Sequence, residues 1–135
     1  MFQKYKESLN KALNTINQNN LDILYQEIKK RLNGSSSIHI IGNGGSAANA
    51  SHIVGDYTKT FSFMNFKIKI HNHSDNICYL TAASNDLDYN EIYSNLVGTL
   101  INKNDLVIYL SGSGNSINLI KCANKATNLN IKQIS

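Results

Sequence analysis

The sequence predicts an α/β protein: a three-layer α/β/α sandwich around a mostly parallel, doubly wound sheet, preceded by two N-terminal helices. Three observations carry this. Short, β-branched apolar runs alternate with stretches whose apolar residues recur every three or four positions. Two of those runs pass directly into glycine- and serine-rich turns that open a helix, as βα units do. At 135 residues, 41% of them hydrophobic, the chain has material for one core and one domain.

The elements follow in order. Phe2, Tyr5, Leu9, Leu13 and Ile16 keep helical spacing until Gln18-Asn19-Asn20 interrupts. Leu21, Ile23, Leu24, Ile28 and Leu32 resume it as far as Gly34, a candidate C-cap. Residues 1–34 are thus two amphipathic helices suited to packing or oligomerisation, and 38–135 form the α/β core. The run Ile38-His39-Ile40-Ile41 reads as a buried parallel strand, and a helix follows from Ala47 to about Phe61. Residues 67–70 read as a second strand. Residues 77–83 and 91–101 read as two helices separated by Ser84-Asn85-Asp86. A third strand at 106–110 runs into another helix reaching about Thr127, and 131–135 begins a fourth. A parallel strand with no covering helix after it leaves apolar surface open, so the core is expected to be completed by further chain or by a partner.

Composition excludes several classes. No apolar run reaches the ~20 residues of a membrane span, and the N-terminus lacks the apolar core of a secretion signal. Cys78 and Cys122 make no disulfide framework, which suits a cytoplasmic protein with reduced thiols. The net charge of +4 suits an anionic ligand. The 13 basic residues are nevertheless dispersed, with no cluster interleaved with aromatics, and neither nucleic acid nor membrane is expected as a partner.

The chemistry lies in two loops, Gly42-Asn43-Gly44-Gly45-Ser46 and Ser111-Gly112-Ser113-Gly114-Asn115-Ser116. In each, a strand ends, glycines let the backbone turn, and a helix begins with its free N–H groups aimed at the turn. That geometry and the helix dipole favour an anion, and the serine hydroxyls add donors to phosphate oxygens. No Walker lysine is present. The plainer reading is helix capping by Ser46 and Ser116. Two such loops at the carboxyl ends of two strands favour a ligand site, because open α/β sheets bind ligands there. Gly42 to Ala47 also satisfies the dinucleotide pattern G-x-G-x-x-A. The acidic residue that should hold a ribose is missing, since Asp75 falls too late in a polar loop.

At these residues the chain resembles the sugar isomerase (SIS) domain family, and within it the bacterial phosphoheptose isomerases. The match rests on Gly42 to Ala48, His52 on the following helix, Asn85-Asp86, and Ser111 to Ser116 with Asn118-Leu119-Ile120 after it. The resemblance implies an α/β sandwich, assembly as a homotetramer with sites between subunits, and conversion of sedoheptulose 7-phosphate to D-glycero-D-manno-heptose 7-phosphate for lipopolysaccharide or capsule. It implies that Ser46, Ser111, Ser113 and Ser116 hold the phosphate, that Asn43 and Asp86 contact the sugar, and that Gly44, Gly112 and Asn115 are further substrate-binding residues. His52 takes the place of a zinc ligand of some members, and Asp56 that of the catalytic glutamate.

Ketose–aldose isomerisation moves a proton between C1 and C2 through an enediol, so it needs a base there and a second group at the oxygens. His52 and Asp56 lie four apart and share one helical face; the alternative for them is a surface pair. Asp56 is one methylene shorter than glutamate. The family's remaining parts, a glutamine and a histidine on a C-terminal helix, have no counterpart among these residues. No cofactor is required, and zinc at His52 and Asp56 is the one metal the resemblance allows. Three functions stay open: an isomerase, a phosphosugar-binding regulatory module without turnover, and a protein-interaction scaffold.

Overall fold

The computed structural model describes residues 1–135. Four strands, β1 (Ile38–Gly42), β2 (Ile70–Asn72), β3 (Leu106–Leu110) and β4 (Lys132–Ile134), form one sheet in the order β2-β1-β3-β4, every pair parallel. Helices α1 (Phe2–Asn14) and α2 (Gln18–Lys29) precede it; α3 (Gly45–Phe63), α4 (Ile77–Asp86) and α5 (Ile117–Asn128) connect it. The chain steps from β1 outward to β2, returns to β3 and continues outward to β4. This is the doubly wound arrangement expected from the sequence.

Strand alternation builds two cores. Ile38, Ile40 and Leu106 face one way, packing with Ala50, Ile53, Val54 and Tyr57 of α3 and Ile28 of α2. Ile41, Val107 and Tyr109 face the other way, against Leu119, Cys122 and Ala126 of α5, Ala83 of α4, and Ile92, Tyr93, Leu96 and Val97. Burial on both faces is why these strands read as continuous apolar runs. The apolar stripe of α1 (Phe2, Tyr5, Leu9, Leu13) and Ile16 beyond it are exposed, and no residue of α1 is buried.

Several boundaries differ from the sequence expectation, each for a local reason. Asn17 accepts from the Asn19 N–H and caps α2, so Gln18-Asn19-Asn20 is its first turn rather than an interruption. Asn33, not Gly34, takes the left-handed conformation after α2, with φ of 59°. It exchanges bonds with Lys67 in both directions, at 2.8 and 2.9 Å. Pairing therefore starts only at Ile70, opposite Ile38, and the second strand lies later than 67–70. Ser84-Asn85-Asp86 does not separate two helices: the Ser84 hydroxyl donates to the Leu80 carbonyl at 2.6 Å and α4 continues through Asp86. Residues 91–101 form no helix. The Ser94 and Asn95 side chains bond back to the Glu91 carbonyl at 3.0 Å each, and Gly98 has φ of 87°, leaving 3₁₀ turns at Tyr89–Glu91 and Ser94–Leu96.

One polar cluster lies in the sheet. Asp105, just before β3, accepts the Ser37 and Asn102 N–H groups at 2.7 Å each. Arg31 ties the end of α2 to the Asp105 carbonyl at 3.1 Å. The buried His39 on β1 lies 3.3 Å from the Asp105 carboxylate, without the alignment of a full hydrogen bond. Its Nδ1 sits 2.7 Å from His73 Nε2, and the His39 ring stacks against both His71 and His73, whose own centroids lie 6.3 Å apart. A His39 Nε2–H facing the carboxylate leaves Nδ1 to accept from His73, so both rings fit as neutral. Burial pushes the His39 imidazole below its usual value, outweighing Asp105. Burial and the neighbouring imidazoles lower that of His73 to about 4. For Asp105, burial works upward, but the Ser37 and Asn102 N–H groups and His39 outweigh it and hold the carboxyl below its usual range.

A histidine neutral in the fold and protonated once unfolded lets the unfolded chain bind more protons between the two pKa values, so stability falls as pH falls. The fold should be fully stable above pH ~6.5 and lose on the order of 2 kcal/mol between pH 7 and pH 5. Urea midpoints at both values test this, and His73→Phe should flatten the difference. Equal midpoints at pH 7 and pH 5 would count against neutral stacked imidazoles.

Candidate functional site

The register Gly42↔Leu110 brings the carboxyl ends of β1 and β3 side by side at the point where the sheet reverses its winding. The two glycine- and serine-rich loops therefore face each other across one crevice. The helices α3 and α5 both start at it, turning their N-terminal amides and dipoles toward it.

The first loop needs glycine for two reasons. A Cβ at Gly42 would fall 2.9 Å from the backbone and Cβ of Ser46, so only glycine lets α3 begin so close to the strand. Gly44 caps α3 with φ of 53°. Ser46 therefore sits in the first turn rather than at the cap, its N–H bonded to the Asn43 carbonyl at 2.9 Å. Behind the loop, the Tyr93 hydroxyl donates to the Gly42 carbonyl at 3.0 Å, and Ser74 bonds both the Gly42 carbonyl and its N–H.

The second loop is exposed and shaped by its own hydroxyls. Ser111 Oγ accepts the Gly114 N–H at 3.0 Å and Ser113 Oγ accepts the Asn115 N–H at 3.2 Å, with Gly114 at φ of 67°. Each of these hydroxyls keeps its proton to donate to an incoming oxygen. Ser116 is the cap residue of α5, yet its hydroxyl makes no capping bond and stays uncommitted. Beside this loop lies an open cleft of about 480 Å³ lined by Tyr109, Ser111, Gly114, Leu119 and Gln133.

The loops are joined by side chains. The Asn43 and Asn118 amides pair reciprocally at 2.9 and 3.0 Å, and the Tyr89 hydroxyl donates to Asn43 Oδ1 at 3.1 Å. Asp86 ends α4 three residues before Tyr89 and accepts from Asn85 at 2.8 Å. Asn43, Gly44, Ser46, Ser111, Gly112, Ser113, Asn115 and Ser116 are thus gathered around one crevice. Asn118, Tyr89, Tyr93 and Ser74 escaped the reading of site residues from sequence. Of these, only Asn118 left a signal, as an amide set among Ile117, Leu119 and Ile120.

His52 and Asp56 lie elsewhere on α3. They form a pair at 3.1 Å on its exposed side, where Lys59 also reaches Asp56 at 3.3 Å. By helical rise they are about 9 and about 15 Å along the axis from Ser46. Zinc takes about four ligands, three from protein in a catalytic site. These two residues supply two, and no group of three or more His, Cys, Asp or Glu side chains in the chain is arranged to hold a metal ion. One chain alone does not fit zinc. The acid sought by a dinucleotide reading is also missing: β2 ends at Asn72, whose amide bonds Ser51 of α3 at 2.8 Å.

Comparison with known proteins identifies the family. The SIS domain family matches residues 2–135, and the chain belongs to that family. Within it, the relatives are phosphoheptose isomerases. That of Helicobacter pylori (strain Shi470) is 34% identical over 134 residues, covering 99% of this chain and 69% of the relative. The probable phosphoheptose isomerase of Thermoplasma volcanium is 31% identical, with coverages of 97% and 67%. Among solved structures, the Neisseria gonorrhoeae phosphoheptose isomerase superposes with a TM-score of 0.82 at 23% identity, covering 98% of this chain and 68% of that one, a likeness of fold. No helix is long and apolar enough to cross a membrane.

Gly42→Ala should destabilise the fold by about 1–3 kcal/mol, because the neighbour it meets is backbone. Gly45→Ala, where a Cβ meets nothing within 4 Å, should stay within about 0.5 kcal/mol of wild type. Thermal melts of the two variants give the comparison, and equal melting temperatures would refute the close-approach argument.

Proposed function

We propose that the chain is a ketose–aldose isomerase acting on sedoheptulose 7-phosphate and forming D-glycero-D-manno-heptose 7-phosphate. The observation that carries the reading is the pair of hydroxyl- and amide-lined loops facing each other at the reversal of the sheet. They supply a dianion cradle, and the names of the relatives supply the reaction. In this reading Ser46, Ser111, Ser113 and Ser116, with the amides of Gly44, Gly112 and Asn115, hold the phosphate. Asn43 and Asp86 contact the sugar, whose carbon chain runs along α3 toward His52 and Asp56. The Asp56 carboxylate removes a proton from C1 while the C2 carbonyl oxygen gains one, giving the enediol. The O1 proton then leaves and C2 is protonated, giving the aldose, with His52 moving protons at the oxygens. No step uses a metal.

The reading extends to assembly and place. The exposed apolar stripe of α1 and the exposed His52–Asp56 face of α3 suit a homo-oligomer, a tetramer by family resemblance, whose subunits complete one another's sites. The heptose product would serve lipopolysaccharide or capsule synthesis in the cytoplasm. The exposure of Asp56 also favours a second reading, a phosphosugar-binding module without turnover.

An NMR time course with sedoheptulose 7-phosphate separates the two. Aldose signals should grow, and Asp56→Asn should slow them at least about 100-fold, a misplaced or missing catalytic group costing on that order. Ser116→Ala should weaken binding and reduce the rise in melting temperature that the substrate gives. A thermal shift without aldose leaves the regulatory reading standing, and neither effect removes both.

A further inference from the structure

The amide of Asn118 is 2% exposed in the first turn of α5, between two aliphatic residues. A buried amide costs free energy unless it is bonded, so its partners fix its role. Its Oδ1 accepts the Leu119 backbone N–H at 2.9 Å. A backbone N–H can only donate, which settles the orientation of the Asn118 amide. The same Oδ1 then accepts from Asn43 Nδ2 at 2.9 Å, and Asn118 Nδ2 donates to Asn43 Oδ1 at 3.0 Å. The orientation passes to Asn43 across the pair. The Tyr89 hydroxyl donates to the same Asn43 oxygen at 3.1 Å.

Both acceptor positions of Asn43 Oδ1 are therefore filled, one by Asn118 and one by Tyr89. Of the two N–H bonds on Asn43 Nδ2, one is spent on Asn118. The planar amide holds the other away from Asn118. We infer that Asn118 and Tyr89 are positioning residues that hold Asn43 as an obligate hydrogen-bond donor, so that the crevice selects a sugar phosphate presenting an acceptor oxygen at that point. This deepens the proposed function and rests on its assignment of a sugar phosphate to the crevice. Preorganisation is the physical gain: the donor is oriented before the ligand arrives, and no rotamer freedom is lost on binding. Asn43 contacts the sugar from within the first loop, so the loss of its orientation is read first in Kd and KM.

The test is a double-mutant cycle read by calorimetric titration of sedoheptulose 7-phosphate, with turnover followed in parallel. Tyr89→Phe, at an exposed position where folding is not at stake, should raise Kd about fivefold. Asn118→Asp keeps the acceptor for Leu119 N–H but loses the donor to Asn43, and should raise Kd about tenfold or more. Added to Asn43→Ala, neither change should weaken binding much further, because the group they position is gone. Losses that multiply in the double variants, or unchanged binding in Tyr89→Phe, overturn the proposal while wild-type turnover leaves the isomerase reading intact. Wild-type binding without turnover overturns the isomerase reading, and the cycle still decides the clasp. Wild-type protein that does not bind the sugar phosphate overturns both.

Discussion

The parallel pairing of β1 with β3 is the constraint on which the rest of this structure depends. Its register sets Gly42 beside Leu110, and so sets the spacing of two loops far apart in sequence. Because the winding reverses there, no crossover helix covers the gap between the two carboxyl ends. A one-residue slip would send every side chain of a strand to the other face, and both faces are buried. The register that builds the core therefore also builds the crevice. The missing side chain at Gly42 completes the arrangement by letting α3 start at the strand end, where its amides open onto the crevice.

The opposite, amino-terminal end of the central strands is held by polar contacts of another kind. Asp105 gathers Ser37, Asn102 and His39, while Arg31 fastens the end of α2 to the Asp105 carbonyl. Such a hub is costly to bury and specific in geometry. Its contribution is positional: it sets where β1 and β3 begin, and the register carries that setting to the loops. The imidazole stack extends the hub onto β2, the shortest-paired neighbour of β1. Binding and pH-dependent stability thus share one sheet while involving different ends of it.

The fold was legible because its signals are local and repeated. Apolar runs that end in glycine and serine turns leave few alternatives to a βα unit, and Ile38 to Ser46 and Leu106 to Ser116 fall where those signals put them. The misread segments are those in which a side chain competes with the backbone. Asn33 captured Lys67 and delayed the second strand, and Ser94 and Asn95 turned back onto Glu91 where apolar spacing suggested a helix. Neither event has a periodicity. The two serine-bearing loops were legible, though not the internal bonds in which the Ser111 and Ser113 hydroxyls accept backbone N–H groups. The Asn43–Asn118–Tyr89 network was not, because it joins three elements that only the folded sheet brings together.

The two halves of the chemistry differ in how much of their surroundings one chain supplies. The two serine- and glycine-rich loops are self-sufficient: internal bonds hold the turns of the second, and a neighbouring amide pair links the two. His52 and Asp56 have only each other and Lys59, in solvent, where charges interact weakly. A base that abstracts a carbon-bound proton works best where water is excluded and its partners are fixed. Covering that face of α3 is therefore the step that would turn a binding crevice into a catalytic one. The apolar stripe of α1, left uncovered by its own chain, is the kind of surface that draws subunits together. Under the proposed function, affinity for the phosphate belongs to the single chain, and turnover to what packs against it.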